Sequence, residues 1–301
     1  MKARIMFKRV AAASAILMSI AGAYLYGVIS HRDRLPPFPQ ILWIKNHLFP
    51  ERIGFSDMRG RIEIPCASLR GGRTMVALAF GQSNAGNHGE TLYRPAKPVY
   101  NYYRGRCYKA VDPLLGPTGD AGTVWTRLAD RCIESGLYDR VLIIPIAVGA
   151  TTVSEWAPGG YLYRLLVQTI RDVSSLGLTI THCFWIQGQS EDLAGEIGST
   201  AVRNRYIERF TAMVKGMRDL GVRAPVYVAI STISHNGFNP AIQEAQRMLI
   251  NPDRGILPGP DYDAIMKNPD NRWEEVHLSH QGLERATHAW FKALTSEGLR
   301  Q

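Results

Sequence analysis

Ser83, Gly149, Gln187 and His277 are the residues whose types and surroundings in this sequence allow chemistry. Ser83 stands in Gly81-Gln82-Ser83-Asn84-Ala85-Gly86, directly after the apolar run 75–80. A serine at a tight strand-to-helix turn exposes its hydroxyl and points its own N–H into the same pocket. A helix beginning there favours developing negative charge. A plain turn with a helix-capping serine explains the same residues, so this segment alone leaves both roles open. It is not the G-x-S-x-G elbow, because Ala85 occupies the last glycine position. Gly149 follows the apolar run 141–148 and leads into Ala150-Thr151-Thr152. A glycine N–H can come close to a substrate oxygen because no side chain intervenes, although an ordinary turn reads the same way. Gln187 lies in Trp185-Ile186-Gln187-Gly188-Gln189-Ser190-Glu191-Asp192. An amide aimed at an oxyanion is worth about 3–4 kcal/mol in hydrolases, and polar residues that merely finish a strand look no different. His277 lies in Trp273-Glu274-Glu275-Val276-His277-Leu278. A carboxylate three residues earlier can orient the ring through Nδ1 and leave Nε2 to take a serine proton; Glu274 has that spacing, with Glu275 as the alternative.

The elements that must position these residues follow from hydrophobic pattern. Apolar runs at 75–80, 141–148, 180–186 and 225–230 suit strands buried on both faces, as in a parallel sheet. Pro145 inside the second run suggests a bulge or an edge position. Between the runs, Val202, Tyr206, Phe210, Met213, Met217 and Leu220 recur at helical spacing, as do Leu162, Leu165, Leu166, Thr169 and Ile170. Residues 281–294 read as a last helix. Strands alternating with helices predict an α/β fold with helices on both faces of the sheet. Ligands of such folds sit at the carboxyl ends of the strands, where three of the four candidate residues fall.

Taken together and in this order, the segments resemble the SGNH hydrolases, and within them the sialate O-acetylesterase and acetylxylan esterase branch. That branch carries G-Q-S-N, a V-G-G-T-S-like segment, W-x-Q-G-E-S-D and D-x-x-H-L. The resemblance covers roughly residues 74–296; Gly81–Asn84 and Trp185–Gly188 are its most specific parts. It implies a three-layer α/β/α sandwich of flavodoxin-like type with a mostly parallel central sheet. It implies Ser83 as nucleophile and His277 as general base; the third member is Glu274 in place of the usual aspartate, with Glu275 or a Ser–His dyad oriented by a backbone carbonyl as the alternatives. The N–H groups of Ser83 and Gly149 and the side chain of Gln187 would form the oxyanion hole, with Gln82, Asn84, Gln189 and Glu275 in support. The implied reaction removes an O-acetyl group from a carbohydrate through an acyl-serine, with no metal or other cofactor. The sequence departs from the branch at Ala150 (glycine), Gln189 (glutamate), Glu191 (aspartate, with Asp192 one residue on) and Glu274 (aspartate). Two other functions use the same residues: transfer of acetyl to an envelope polysaccharide, and carbohydrate binding by an inactive protein on the same fold. Tyr102, Tyr103, Trp125, Trp156 and Trp273 are aromatic residues that either stack on a sugar or pack the core.

The 301 residues suffice for one large α/β domain, and 46% hydrophobic with 20% charged residues is ordinary for a globular chain. The net charge of +9 includes the basic start Lys2, Arg4, Lys8 and Arg9. No basic run with interleaved aromatics follows, so nucleic acid is not an expected partner. Apolar residues 10–29 match a bilayer core in length, and the basic flank keeps the N-terminus cytoplasmic with the remainder exported, to the periplasmic or extracellular face. A signal peptide cleaved near Ala21-Gly22-Ala23 and a secreted product is the alternative. The expected organisation is an anchor at 1–30, a proline-containing juxtamembrane strap at 31–73 and an esterase domain at 74–301. Of four cysteines, Cys132 and Cys183 fall in helical and strand patterns and read as buried thiols; Cys66 and Cys107 can form a disulfide if the domain is exported.

Overall fold

The computed structural model describes residues 18–20, 22–27, 41, 44, 53–194, 199–235 and 237–298. The chain divides into two units, Met1–Arg52 and Ile53–Gln301. The described residues of the first unit are helical and exposed. Among the described residues no helix is long and apolar enough to cross a membrane; most of the expected span 1–30 lies outside them.

The second unit is built on an eight-stranded sheet. Its strands are β1 (Glu63–Ile64), β2 (Thr74–Gly81), β3 (Val99–Tyr103), β4 (Arg106–Lys109), β5 (Arg140–Pro145), β6 (His182–Ile186), β7 (Val226–Ile230) and β8 (Ile256–Asp261), in the order β1-β4-β3-β5-β2-β6-β7-β8. The six strands from β3 to β8 in that order pair in parallel; β4 and β1 add antiparallel at one edge. The helices are α1 (Val124–Glu134), α2 (Val153–Trp156), α3 (Tyr161–Ser175), α4 (Thr200–Asp219), α5 (Pro240–Met248), α6 (Tyr262–Met266) and α7 (His280–Gly298). Two short strands, β9 (Arg272–Trp273) and β10 (His277–Leu278), form a separate antiparallel pair.

Alternation along each strand feeds two cores. In β2, Val76, Leu78 and Phe80 join one core with Trp156, Leu166, Trp185 and Phe210. Met75, Ala77 and Ala79 join the other with Trp125, Phe184, Tyr262 and Trp290. The sheet is therefore covered on both faces, as the unbroken apolar runs predict. Pro145 is neither at an edge nor in a bulge: it is the last residue of β5, paired with Ala79 in the middle of the sheet. Its missing N–H is tolerated because Ile146, one residue on, donates to the Ala79 carbonyl at 3.0 Å. The compact unit and its first strand begin before residue 74, so 53–73 belong with the domain rather than to a separate strap. One reason is covalent: Cys66 is disulfide-bonded to Cys107 of β4. Cys132 and Cys183 are free and buried.

Candidate active site

The site is assembled at the carboxyl end of β2. Gly81 ends that strand at φ +123°, and a Cβ there would lie 2.1 Å from the Ile186 carbonyl oxygen of β6. Only glycine lets the two backbones approach this closely while the chain turns. The Gln82 N–H donates to that Ile186 oxygen at 2.8 Å, and the Val148 N–H to the Gly81 oxygen at 2.9 Å. Residues Ser83–Ala85 then form one turn of 3-10 helix, with Ala85 and Gly86 donating to the carbonyls of Gln82 and Ser83. The N–H groups of Ser83 and Asn84, at the start of this turn, have no acceptor within it.

Three amides tie this turn to the histidine loop. Gln82 Oε1 accepts from the N–H groups of Gly188 (3.1 Å) and Ser190 (3.3 Å), and its Nε2 donates to Gln189 Oε1 at 3.1 Å. Asn84 Nδ2 donates to Gln189 Oε1 (3.1 Å) and to the carbonyl of Val276 (2.9 Å). Gln189 Nε2 completes the set with bonds to Val276 O (3.1 Å) and Ile233 O (2.8 Å). The residue immediately before His277 is thus held from two sides, and β10 packs on the Ser83 turn. Gln189 also accounts for its own departure from the family pattern: a glutamate at 189 has no N–H to offer two carbonyls.

His277 Nδ1 lies 3.2 Å from Glu274 Oε2, so Nε2 is the ring nitrogen not engaged by that carboxylate. No hydrogen bond joins Ser83 to His277 among the described residues; such contacts commonly tighten only with substrate bound. Burial holds His277 below the ordinary imidazole range, opposed by the Glu274 carboxylate and reinforced by His235. Glu274 and Glu275 have φ of +49° and +66°, a left-handed pair that turns the chain from β9 back to β10. Glu275 does not reach His277; its Oε2 is 2.8 Å from His235 Nδ1.

The two remaining oxyanion candidates are occupied. The Gly149 N–H donates to Thr118 Oγ1 at 2.7 Å. Gln187 is fully buried, and its Nε2 donates to Thr151 O (3.0 Å) and Glu191 Oε1 (2.8 Å). Both strong donor positions of that amide are spent away from Ser83, so the structure does not bring Gln187 into an oxyanion hole. Its partner Glu191 also accepts the Val153 N–H at 2.7 Å, and burial pushes that carboxyl above the usual range. This is a buried network that pins the 149–153 turn. Ala150, where the resemblance expects glycine, has φ +59°.

His88 and Thr118 are site neighbours that sequence reasoning missed. The His88 ring stacks on His277, centroids 4.9 Å apart and 29° between planes. The only available signal was the nearness of His88 to Ser83 in an Asn-His-Gly-Glu segment. Of the five aromatic residues considered, Trp125, Trp156 and Tyr102 are core, and Tyr103 lies under Arg104. Trp273 is exposed and pairs across the β9–β10 ribbon with His277, so the two side chains share one face of it. A cavity of about 490 Å³ between α1 and α7, lined by Tyr93, Arg127, Glu284 and Phe291 among others, contains none of the site residues.

The sequence model of the sialic acid-specific acetylesterase family of carbohydrate esterases matches residues 124–294, more than half of the chain. That span contains Gln187 and His277 and begins after the Ser83 turn. A probable carbohydrate esterase of Arabidopsis thaliana is 27% identical over 105 residues, 35% of this chain; the match spans only 38% of that relative. The X-ray structure of a protein from Arabidopsis thaliana superposes with a TM-score of 0.60 at 18% identity, over 74% of this chain and 98% of that one. The crystal structure of NanS superposes at 0.53 and 16% identity, over 76% and 98%. These superpositions establish a shared fold, the α/β architecture with a mostly parallel sheet. With more than half its length matched, the chain belongs to the carbohydrate esterase family of sialic acid-specific acetylesterases.

Proposed function

We propose that the protein is a serine esterase that removes O-acetyl groups from a carbohydrate. The observation that carries this reading is the tie between the Ser83 turn and the histidine loop through Asn84, Gln189 and the Val276 carbonyl. His277 Nε2 takes the Ser83 proton as Oγ attacks the acetyl carbon, and Glu274 on Nδ1 holds the ring in the required tautomer. The Ser83 N–H meets the oxyanion at the start of its turn. His277 then protonates the departing sugar oxygen. Water, deprotonated by the same ring, hydrolyses the acetyl-serine and regenerates the hydroxyl. Trp273, exposed beside His277, offers a flat apolar face for a sugar ring.

The test is hydrolysis of p-nitrophenyl acetate together with labelling by a fluorophosphonate, which reacts only with an activated serine. The wild type is expected to do both, and Ser83→Ala neither, with an unchanged melting temperature. Full turnover by Ser83→Ala would end the assignment.

The reading extends to location: a membrane-tethered enzyme with its catalytic unit exported. Support comes from the basic start and the apolar residues 10–29, from the exposed Met18, Ile20, Tyr24 and Leu25, and from the Cys66–Cys107 disulfide, a bond that persists in oxidising compartments. Recovery of the full chain in the carbonate-washed membrane fraction is the expected result; recovery in the soluble fraction would refute the tether.

A further inference from the structure

Thr118 is a neighbour of the Ser83 turn. Its Oγ1 accepts the Gly149 N–H at 2.7 Å and lies 3.1 Å from His88 Nε2. The backbone on both sides of that hydroxyl is fixed. Thr118 N–H donates to Ala147 O at 3.0 Å, and Thr118 O accepts from Asn87 N–H at 2.9 Å. Gly149 allows the approach: a Cβ there would stand 3.3 Å from Thr118 Oγ1 and 3.5 Å from His88 Nε2. The place is beside Ser83. At Gly86 a Cβ would meet the Thr118 carbonyl at 2.9 Å, the Ser83 carbonyl at 3.3 Å and the His88 ring at 3.4 Å. His88 in turn stacks on His277. His277, His88, Thr118 and Gly149 therefore follow one another in contact beside the turn that carries Ser83.

A hydroxyl oxygen accepts two hydrogen bonds and donates one. Burial, with the nearby His277 adding to it, brings His88 down to about 4, so its ring is neutral at neutral pH and carries a single N–H. With that hydrogen on Nε2, the Thr118 oxygen is saturated as an acceptor, and its own hydrogen must point in the remaining direction. We propose that the Thr118 hydroxyl, polarised by the Gly149 N–H and His88 Nε2–H, is the second oxyanion donor, and that His88 is its positioning residue. The inference rests on the esterase reading above. It replaces the expected Gly149 donor, whose hydrogen is already committed to Thr118, and the expected Gln187 donor, whose amide faces elsewhere. No proton changes hands in this contact: the hydrogen bond from the Thr118 O–H to the acetyl oxygen shortens and strengthens as the carbonyl π electrons move onto that atom.

Thr118→Val separates the two donors, because it deletes the hydroxyl and at the same time frees the Gly149 N–H. If Thr118 is the donor, kcat on p-nitrophenyl acetate falls about 10²–10³-fold with KM nearly unchanged. Affinity for an aryl boronate, whose tetrahedral adduct carries the negative charge, falls in parallel. Thr118→Ser restores most of the rate. If Gly149 is the donor, Thr118→Val keeps or exceeds the wild-type kcat, and the proposal is overturned. Thr118→Ala is read in the same way should the valine variant not fold. His88→Phe keeps a ring over His277 but removes the N–H; a fall in kcat and boronate affinity is expected, and wild-type values for both would overturn the role of His88. Wild-type enzyme run in parallel keeps the outcomes apart, since absence of any turnover there defeats the esterase reading itself.

Discussion

Glu274 holds His277 from the solvent side. Its carboxylate is 63% exposed against 13% for the histidine side chain. Water screens such a pair, so its worth is about 0.2–1 kcal/mol, and 1.4 kcal/mol would be needed for a factor of ten. Glu274→Gln is therefore expected to lower kcat by less than tenfold, far less than loss of a buried triad acid, and Glu275→Gln, whose partner is His235, to leave kcat unchanged. Steady-state kinetics of the two variants check this. The pH profile follows from the same ring. The base must be neutral, so activity is lost as pH falls through the His277 pKa. Burial lowers that pKa from the ordinary 6.5, Glu274 raises it and His235 lowers it. The acid limb of kcat/KM is expected below pH 6.5, and Glu274→Gln should shift it lower still; a limb above 6.5 would contradict the burial argument. The Glu274–His277 contact was legible because a spacing of three residues in one loop brings carboxylate and ring together. Gln187 was misleading because position at a strand end does not say which way an amide turns, and Glu191 and the Thr151 carbonyl turn it inward. Thr118 and His88 were invisible because their partners come together only in the folded chain.

At the scale of elements, the strands legible in the sequence were those buried on both faces, β2, β5, β6 and β7, each of which carries at least four consecutive apolar residues. The missed β8 contains Pro258 and Gly259, and β3 and β4 mix tyrosines with Asn101, Arg106 and Lys109, so none shows a continuous apolar stretch. Gly259 of β8 faces the ring of Trp290: a Cβ there would be 3.0 Å from it and 2.9 Å from the Ala229 nitrogen. Trp290 is the piece of α7 that fixes this helix to the sheet. It is fully buried, donates from Nε1 to Tyr262 Oη at 2.9 Å, and packs against Phe184 and Trp125 at 5.0 and 5.5 Å. Because β10 leads straight into α7, the docking of this helix also fixes His277. Trp290→Ala should destabilise the fold by about 3–5 kcal/mol, read as a lower urea midpoint, and should lose activity at denaturant concentrations the wild type tolerates.

For the whole molecule, the compact unit begins at residue 53, a start not legible in the sequence because β1 is two residues long and its attachment is covalent as much as hydrogen-bonded. The Cys66–Cys107 bond spans a sequence separation of 41 residues, a closure worth about 2–4 kcal/mol through the unfolded chain. Reduction should lower unfolding stability by that amount. Thiol titration of the denatured, unreduced protein should find Cys132 and Cys183 alone reactive. The loop that this bond closes carries Ser83 and His88, and both cysteines lie upstream of α1. If the catalytic unit is exported as proposed, this bond can seal the Ser83 segment into a covalent circle before the downstream strands have crossed into the oxidising space. The later half of the sheet then docks on a segment whose wandering has already been curtailed.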